Sequence, residues 1–250
     1  MPDMFYYILT LILGVCVGSF LNVCIFRIPL GQEVVKTPSH CLTCGHRLAW
    51  YDNIPLFSWF SLKGKCRYCG TPLSKQYPLV EALNGLAWLI TVVLGGVNLT
   101  SYICCAVISA LLVLSVIDFR TLEIPLGINV FILICSVAAT AIDRGSLADH
   151  IWGMLIISLP LELLLLVSGG RAIGGGDVKL FFAAGLLLGL AGTVTAFMLS
   201  CLLASVIHIA RMKLLGADRV LALGPYISMG ITLSIWFGKP IVDWYLGFFV

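Results

Sequence analysis

The chain has 250 residues, 60% of them hydrophobic and 11% charged, with a formal net charge of +3 and a mean hydropathy of +1.05. Those values exclude an ordinary soluble domain and point to an all-α, multi-spanning membrane protein. At about 20 residues per helical crossing there is room for roughly seven or eight spans and one loop domain.

The first apolar run covers about 5–26. It lacks a basic n-region, is too long for a secretory signal, and its basic residue, Arg27, follows the run. That order predicts an uncleaved first span, 1–27, with its N-terminus outside. A polar segment follows over 28–77, the one stretch able to form a separate unit. Further apolar runs cover about 78–94, 102–117, 124–142, 151–167, 178–190, 193–210 and 221–237, with a short amphipathic tail at 241–250. No run shows the alternation of a membrane barrel. The resulting architecture is about eight transmembrane helices, with 78–250 forming the main membrane domain.

Charge tests that topology. With the N-terminus outside, Arg27, Lys36, Arg47, Lys63, Lys65, Arg67, Lys75, Arg120, Arg171, Lys179, Arg211, Lys213 and Arg219 all fall on the cytoplasmic side; Arg144 and Lys239 do not. Thirteen of the 15 basic residues on one side is the positive-inside pattern. It places Asp118 and Asp177 at cytoplasmic helix ends, at one depth.

Six of the ten cysteines (Cys16, Cys24, Cys104, Cys105, Cys135, Cys201) lie in apolar runs and read as small buried hydrophobes. The other four form Cys41-x-x-Cys44-Gly and Cys66-x-x-Cys69-Gly. Paired C-x-x-C motifs about twenty residues apart read as a four-thiolate zinc site; a rubredoxin-like iron site would use the same ligands. Disulfides are disfavoured in a loop that faces the reducing cytosol. So short a loop needs its metal for stability. His40 and His46 read as bystanders to a closed site.

The two acids admit three readings: structural polar contacts, an ion or proton path, or a dyad that shares one proton and activates water. Charge at bilayer depth costs at least ~2.5–3.5 kcal/mol, which favours a functional reading. The glycines of Gly174-Gly175-Gly176-Asp177 favour the dyad, because an extended substrate needs clearance beside a catalytic carboxylate, and Gly174 and Gly176 provide it. Glu81 and Glu162 read as interhelical contacts, Glu33 and Asp52 as solvated loop residues, and His208 as a packing histidine.

Taken in order, these residues resemble the bacterial prepilin peptidases (type IV leader peptidases). The ordered set comprises Gly18-Ser-Phe-Leu-Asn-Val, Arg27-Ile-Pro29, both cysteine pairs with Trp50-Tyr-Asp-Asn-Ile-Pro55 and Ser58-Trp59 between them, Tyr77-Pro-Leu-Val-Glu81, Asp118, Gly174-Gly-Gly-Asp177-Val-Lys179 and Leu223-Gly-Pro-Tyr226. Leu126 after Ile124-Pro125, Ala172, and Leu-Thr within the first cysteine pair depart from the family's common pattern.

The resemblance implies a bifunctional membrane aspartyl endopeptidase of the bacterial cytoplasmic membrane. It would cut the leader of type IV prepilins and pseudopilins after glycine and then methylate the new N-terminal residue from S-adenosylmethionine. Asp118 and Asp177 match the catalytic aspartates, and the cysteine loop matches the region associated with methylation. The alternatives are a GxGD intramembrane protease of another substrate class, as in the presenilin and signal-peptide-peptidase families, and a proton-coupled transporter. The cysteine loop disfavours the first, and the absence of paired inverted halves disfavours the second.

Overall fold

A computed structural model describes residues 2–142, 146–215 and 221–248. Arg144 and Arg219 of the charge pattern lie outside the described residues. Among those described, the chain is helical, with no strand and two isolated antiparallel bridges. It divides into two compact units, Met1–Asn98 and Leu99–Val250.

The first unit pairs α1 (Pro2–Arg27) with α3 (Gln76–Gly95) and hangs the polar segment, with the short α2 (Phe57–Ser61), between them. The pairing is close because the facing positions are small. A Cβ on Gly14 would lie 2.9 Å from the Gly85 Cα, and one on Gly18 2.7 Å from the Glu81 Cα. A Gly-x-x-x-Gly step lets two apolar helices meet backbone to backbone where no hydrophobic effect drives them together. Asn84 then donates across the seam to the Gly14 carbonyl at 2.7 Å, and Asn22 to that of Tyr77 at 3.2 Å. At the α1 exit, Arg27 donates to the Glu33, Thr37 and Pro38 carbonyls and folds the start of the loop around its guanidinium.

The second unit contains α4 (Leu99–Thr121), α5 (Leu126–Ile142), α6 (Leu147–Ile156), α7 (Ser158–Ser168), α8 (Gly175–Leu215) and α9 (Gly224–Leu246). The predicted run at 151–167 is α6 plus α7. The break falls where the Pro160 ring would meet the carbonyl four residues back, and the chain resumes as a second helix.

α8 is two helices joined at a sharp bend and not one straight rod. Gly189 has φ 68° and ψ −180°, a conformation open essentially to glycine alone. Phe181 and Phe197 are sixteen residues apart, about 24 Å along a straight helix, yet their rings lie 5.7 Å apart. The chain therefore doubles back at Gly189 into two arms, 175–188 and 190–215. Asp149 of α6 caps the second arm, its Oδ1 accepting from the Leu190 amide at 3.3 Å, and His150 Nδ1 sits 2.8 Å from the Leu186 carbonyl oxygen. A carboxylate at a helix start satisfies an otherwise free amide and complements the positive end of the dipole.

Among the described residues, five helical stretches are long and apolar enough to cross a membrane: Met4–Leu30, Gln76–Gly95, Leu99–Thr121, Leu147–Ser168 and Gly175–Leu214. The last is the folded pair, and Leu126–Ile142 is apolar but shorter. The segment expected as a separate tail from 241 is, as far as Leu246, a continuation of α9 through Pro240.

Candidate functional site

Asp118 lies in the last turn of α4, and Asp177 in the first turn of α8. Both are buried, at 5% and 8% exposure. The start of α9 supplies one partner: the Gly224 amide donates to Asp118 Oδ2 at 2.8 Å. The Asp177 amide donates to the Gly174 carbonyl at 3.1 Å, and Asp177 Oδ1 finds no hydrogen-bond partner.

Three contacts tie α8 to the stretch that runs from the end of α4 into α5. Ile124, just beyond α4, packs on Gly176 so closely that a Cβ there would lie 2.7 Å from its own. Asn129 of α5 donates to the Gly176 carbonyl at 3.2 Å. The Arg211 guanidinium, near the far end of the second α8 arm, stands over the Phe119 ring at 5.1 Å. Leu114, Ile117, Leu180 and Ile227, all fully buried, wall the surroundings with hydrocarbon. Two buried acids in such a place can share one proton, leaving one as base and the other as acid.

The glycines before Asp177 have different neighbours. A Cβ on Gly174 would meet only Asp177 Oδ2, at 3.2 Å, whereas the side of Gly176 is filled by Ile124. Lys179 is exposed. Asn129, Ile124 and Gly224 carry the geometry; Gly224 lies in the quoted Leu223-Gly-Pro-Tyr226 and Ile124 in Ile124-Pro125, whereas the one local signal for Asn129 was a polar residue inside an apolar run.

The thiol centre lies in the first unit. The Sγ atoms of Cys41, Cys44, Cys66 and Cys69 all fall within 4.8 Å of one another, with Cys41 and Cys69 3.9 Å apart. Tetrahedral zinc with bonds of about 2.3 Å requires sulfurs about 3.8 Å apart, so the set fits with small adjustment. Both pairs fold alike. The Cys41 amide donates to the His46 carbonyl and Gly45 returns to Cys41; the Cys66 amide donates to Thr71 and Gly70 returns to Cys66. Gly45 and Gly70 take φ of 70° and 72°, the left-handed step each knuckle needs.

Amides of Cys44 and Thr43 favour the Cys41 thiolate and lower its pKa. The Thr71 hydroxyl and then its amide bring Cys69 down to about 6. The His46 amide pulls Cys44 the same way, but burial and the crowding of Cys41 and Cys69 push it up to about 11. Four thiolates this close call for a cation among them. His40 and His46 stand outside the sulfur set, and His46 stacks on Tyr68 with ring centroids 3.6 Å apart.

Asp52 differs from expectation, as do Cys16 and Cys201, which are exposed and not buried. The Asp52 side chain, expected in solvent, is 3% exposed and accepts from Arg67 Nε at 2.7 Å and Tyr68 Oη at 3.1 Å. Glu81 makes the expected interhelical contact, with the Ser19 side chain of α1, and also accepts from the loop, taking the Leu56 amide at 2.7 Å while Leu56 holds a φ of 59°.

A polytopic helical protein with a buried carboxylate pair at two helix ends and a separate four-thiol loop belongs to the membrane aspartyl peptidase class. Residues 12–94 match the Bacterial Peptidase A24 N-terminal domain, and residues 105–209 match the Type IV leader peptidase family. The prepilin leader peptidase/N-methyltransferase of Pectobacterium carotovorum subsp. carotovorum is 33% identical over 250 residues, 88% of each chain. That of Xanthomonas campestris pv. campestris is 29% identical over 266 residues, 94% of this chain and 93% of the relative. The Myxococcus xanthus protein of the same name is 37% identical over 182 residues, 71% of this chain and 54% of that longer relative. No solved structure matches. The chain belongs to the type IV leader peptidase family.

Proposed function

We propose that the protein removes the leader of type IV prepilins or pseudopilins after its glycine and then methylates the exposed amino terminus, with Asp118 and Asp177 as the hydrolytic pair. Family membership and the printed activity of its relatives support the two reactions. What supports the assignment of the pair is the convergence of two buried acids from α4 and α8 onto Gly176 and its neighbours.

In this scheme the ionised carboxylate takes a proton from water as the oxygen attacks the scissile carbonyl. The protonated partner donates to the carbonyl oxygen, giving a gem-diol; as the C–N bond breaks, the pair passes its proton to the leaving amine and takes one back from a gem-diol hydroxyl as the carboxylic acid forms, so it ends with one shared proton. Gly174 leaves space beside Asp177 for the extended leader; Gly176, whose side is filled, would contribute backbone only. The apolar segment of the pilin would dock along the helices and deliver the bond by proximity.

The charge pattern supports eight crossings, with the α8 arms counted as two, an outside N-terminus and an active site on the cytoplasmic side of the bacterial membrane. The functional division would be a first span at 1–27, the thiol loop at 28–77 and the peptidase helices within 78–250. Cys41, Cys44, Cys66 and Cys69 would hold a structural zinc ion that stabilises the loop, and S-adenosylmethionine would supply the methyl group as co-substrate.

The test uses purified full-length protein with a synthetic prepilin and mass spectrometry for leader loss and methyl gain. Asp118→Asn and Asp177→Asn should each abolish cleavage while methylation of a pre-cleaved substrate persists. Full cleavage by either variant would remove that residue from the pair.

A further inference from the structure

Gly174, Gly175 and Gly176 lead directly into Asp177, and a glycine run is poorly suited to holding one backbone geometry. Each glycine costs about 0.8–1.0 kcal/mol against alanine in a helix, because its unfolded alternatives are so many. Asp177 sits on the third residue of α8, where few intrahelical bonds restrain it. Some other group has to fix the peptide that carries it.

The Gly176–Asp177 peptide is held at both ends. Its N–H donates to Gly174 O at 3.1 Å, and its C=O accepts from Asn129 Nδ2 at 3.2 Å. Since a carbonyl can only accept, the amide nitrogen of Asn129 must be the atom facing it. Asn129 is 3% exposed and stands near the start of α5, five residues after Ile124, which presses on the same glycine. Its Oδ1 is buried without a partner among the described residues. An apolar helix burying an orphaned acceptor of this kind bears a cost of about 1–3 kcal/mol. A leucine of similar size would avoid that cost, so packing alone does not account for Asn129.

We propose that Asn129 is a positioning residue for peptide cleavage: it locks the Gly176–Asp177 peptide and thereby sets the Asp177 carboxyl against Asp118. Asn129 acts through Asp177 and not on the scissile bond, so its removal lowers the rate of the chemical step and leaves substrate binding in place. The inference rests on the assignment of Asp118 and Asp177 as the hydrolytic pair.

The experiment compares wild type, Asn129→Leu, Asn129→Gln and Asp177→Asn as full-length protein in phospholipid nanodiscs. Prepilin cleavage is followed for kcat and KM, and methylation of a pre-cleaved pilin is measured on the same preparations. Misplacing a catalytic group by about 1 Å costs on the order of 100-fold. Asn129→Leu should therefore lose about 10–100-fold in cleavage kcat, with KM within about 3-fold and methylation at the wild-type rate. Asn129→Gln, which keeps a carboxamide donor, should recover part of that loss. Wild-type cleavage by Asn129→Leu overturns the proposal. So does a parallel loss of cleavage and methylation in both Asn129 variants, which would mark a role in folding. Cleavage by Asp177→Asn would instead refute the hydrolytic pair itself, independently of Asn129.

Discussion

The Gly224 amide donates to Asp118 Oδ2 at 2.8 Å and joins the start of α9 to the end of α4 across 106 residues of chain. The fit leaves no room at Gly224: a Cβ there would lie 2.7 Å from Oδ2, 3.0 Å from the Asp118 Cγ and 3.0 Å from Leu114 Cδ2. The first free amide of α9 thus holds one carboxylate oxygen in place, where helix-end amides favour negative charge.

Gly224→Ala should displace Asp118 or draw the start of α9 away from it. Cleavage kcat is expected to fall about 10–100-fold, since placement to within about 1 Å carries that much rate. Methylation of a pre-cleaved substrate should remain. Steady-state kinetics of both reactions on one preparation decide the matter, and an unchanged cleavage kcat would contradict the role given to this contact.

Asp52 yields a pH signature. Burial would raise its carboxyl, but the Arg67 hydrogen bond, followed by those from Tyr68 and the Ala49 amide, holds it below the usual carboxylate range. A depressed folded value contributes stability that is present above the unfolded value of about 3.9 and fades as the pH drops through the folded one. Asp52→Asn should therefore destabilise the loop by about 1–3 kcal/mol at pH 7, the scale of a hydrogen bond to a charged group. The gap from wild type should narrow below about pH 4. Hydrogen exchange of amides 49–69 in zinc-loaded protein reads this directly. A gap that stays constant down to pH 3 would show that charge is not its source.

How far the sequence went depended on whether a residue's role is local. Cys41, Cys44, Cys66 and Cys69 were legible because a C-x-x-C-Gly knuckle closes on its own neighbours, as the Gly45 and Gly70 bonds do. Asp118 and Asp177 stood out because acids inside apolar runs are costly. Asn129 did not, and Gly224 did so only as part of Leu223-Gly-Pro-Tyr226 with no role attached, because their partners lie 47 and 106 residues away and neither residue is costly by itself. Asp52 looked solvated because nothing in the chain order announces that Arg67 and Tyr68 fold over it. The α8 reversal shows in the sequence as two runs, 178–190 and 193–210, but its pivot does not, since Gly189 is one glycine among many until its φ is known.

The thiol centre predicts a division of labour between metal and activity. Wild-type protein should carry one zinc ion per chain by elemental analysis, and Cys66→Ser should lose it, along with protease resistance between residues 36 and 77. Structural zinc commonly contributes about 10–16 kcal/mol of apparent binding energy to small folds, so a loop of this size should not survive its loss. Methylation should suffer more than cleavage, because the carboxylates lie in the other compact unit. Cys104→Ser, within α4, should leave the metal content alone. Undiminished zinc in Cys66→Ser would refute the four-thiolate site.

The glycines beside Asp177 should separate by mechanism. At Gly176 a methyl group would stand 2.7 Å from Ile124 Cβ and 3.3 Å from its Cδ1 and Cγ1, too close unless Ile124 yields. Ile124 cannot yield freely, because the short link that carries it joins α4 to α5 and is tied to both. Gly176→Ala should then push the α8 entry away from Asn129 and lower cleavage kcat by about 10-fold or more. Ile124→Ala would remove the opposing atoms, so the double variant Gly176→Ala/Ile124→Ala should regain part of the lost rate. That is the non-additivity expected of side chains in direct contact. Gly174→Ala behaves differently, because its Cβ would meet no wall and stand only 3.2 Å from Asp177 Oδ2, in the space assigned to the leader. Its effect should fall more on KM, and Ile124→Ala should not rescue it. Gly174→Ala, Gly176→Ala, Ile124→Ala and the two double variants with Ile124→Ala, assayed beside wild type with one prepilin, complete both cycles. Rescue of Gly174→Ala, or none for Gly176→Ala, would mean that Ile124 is not what Gly176 is there to accommodate.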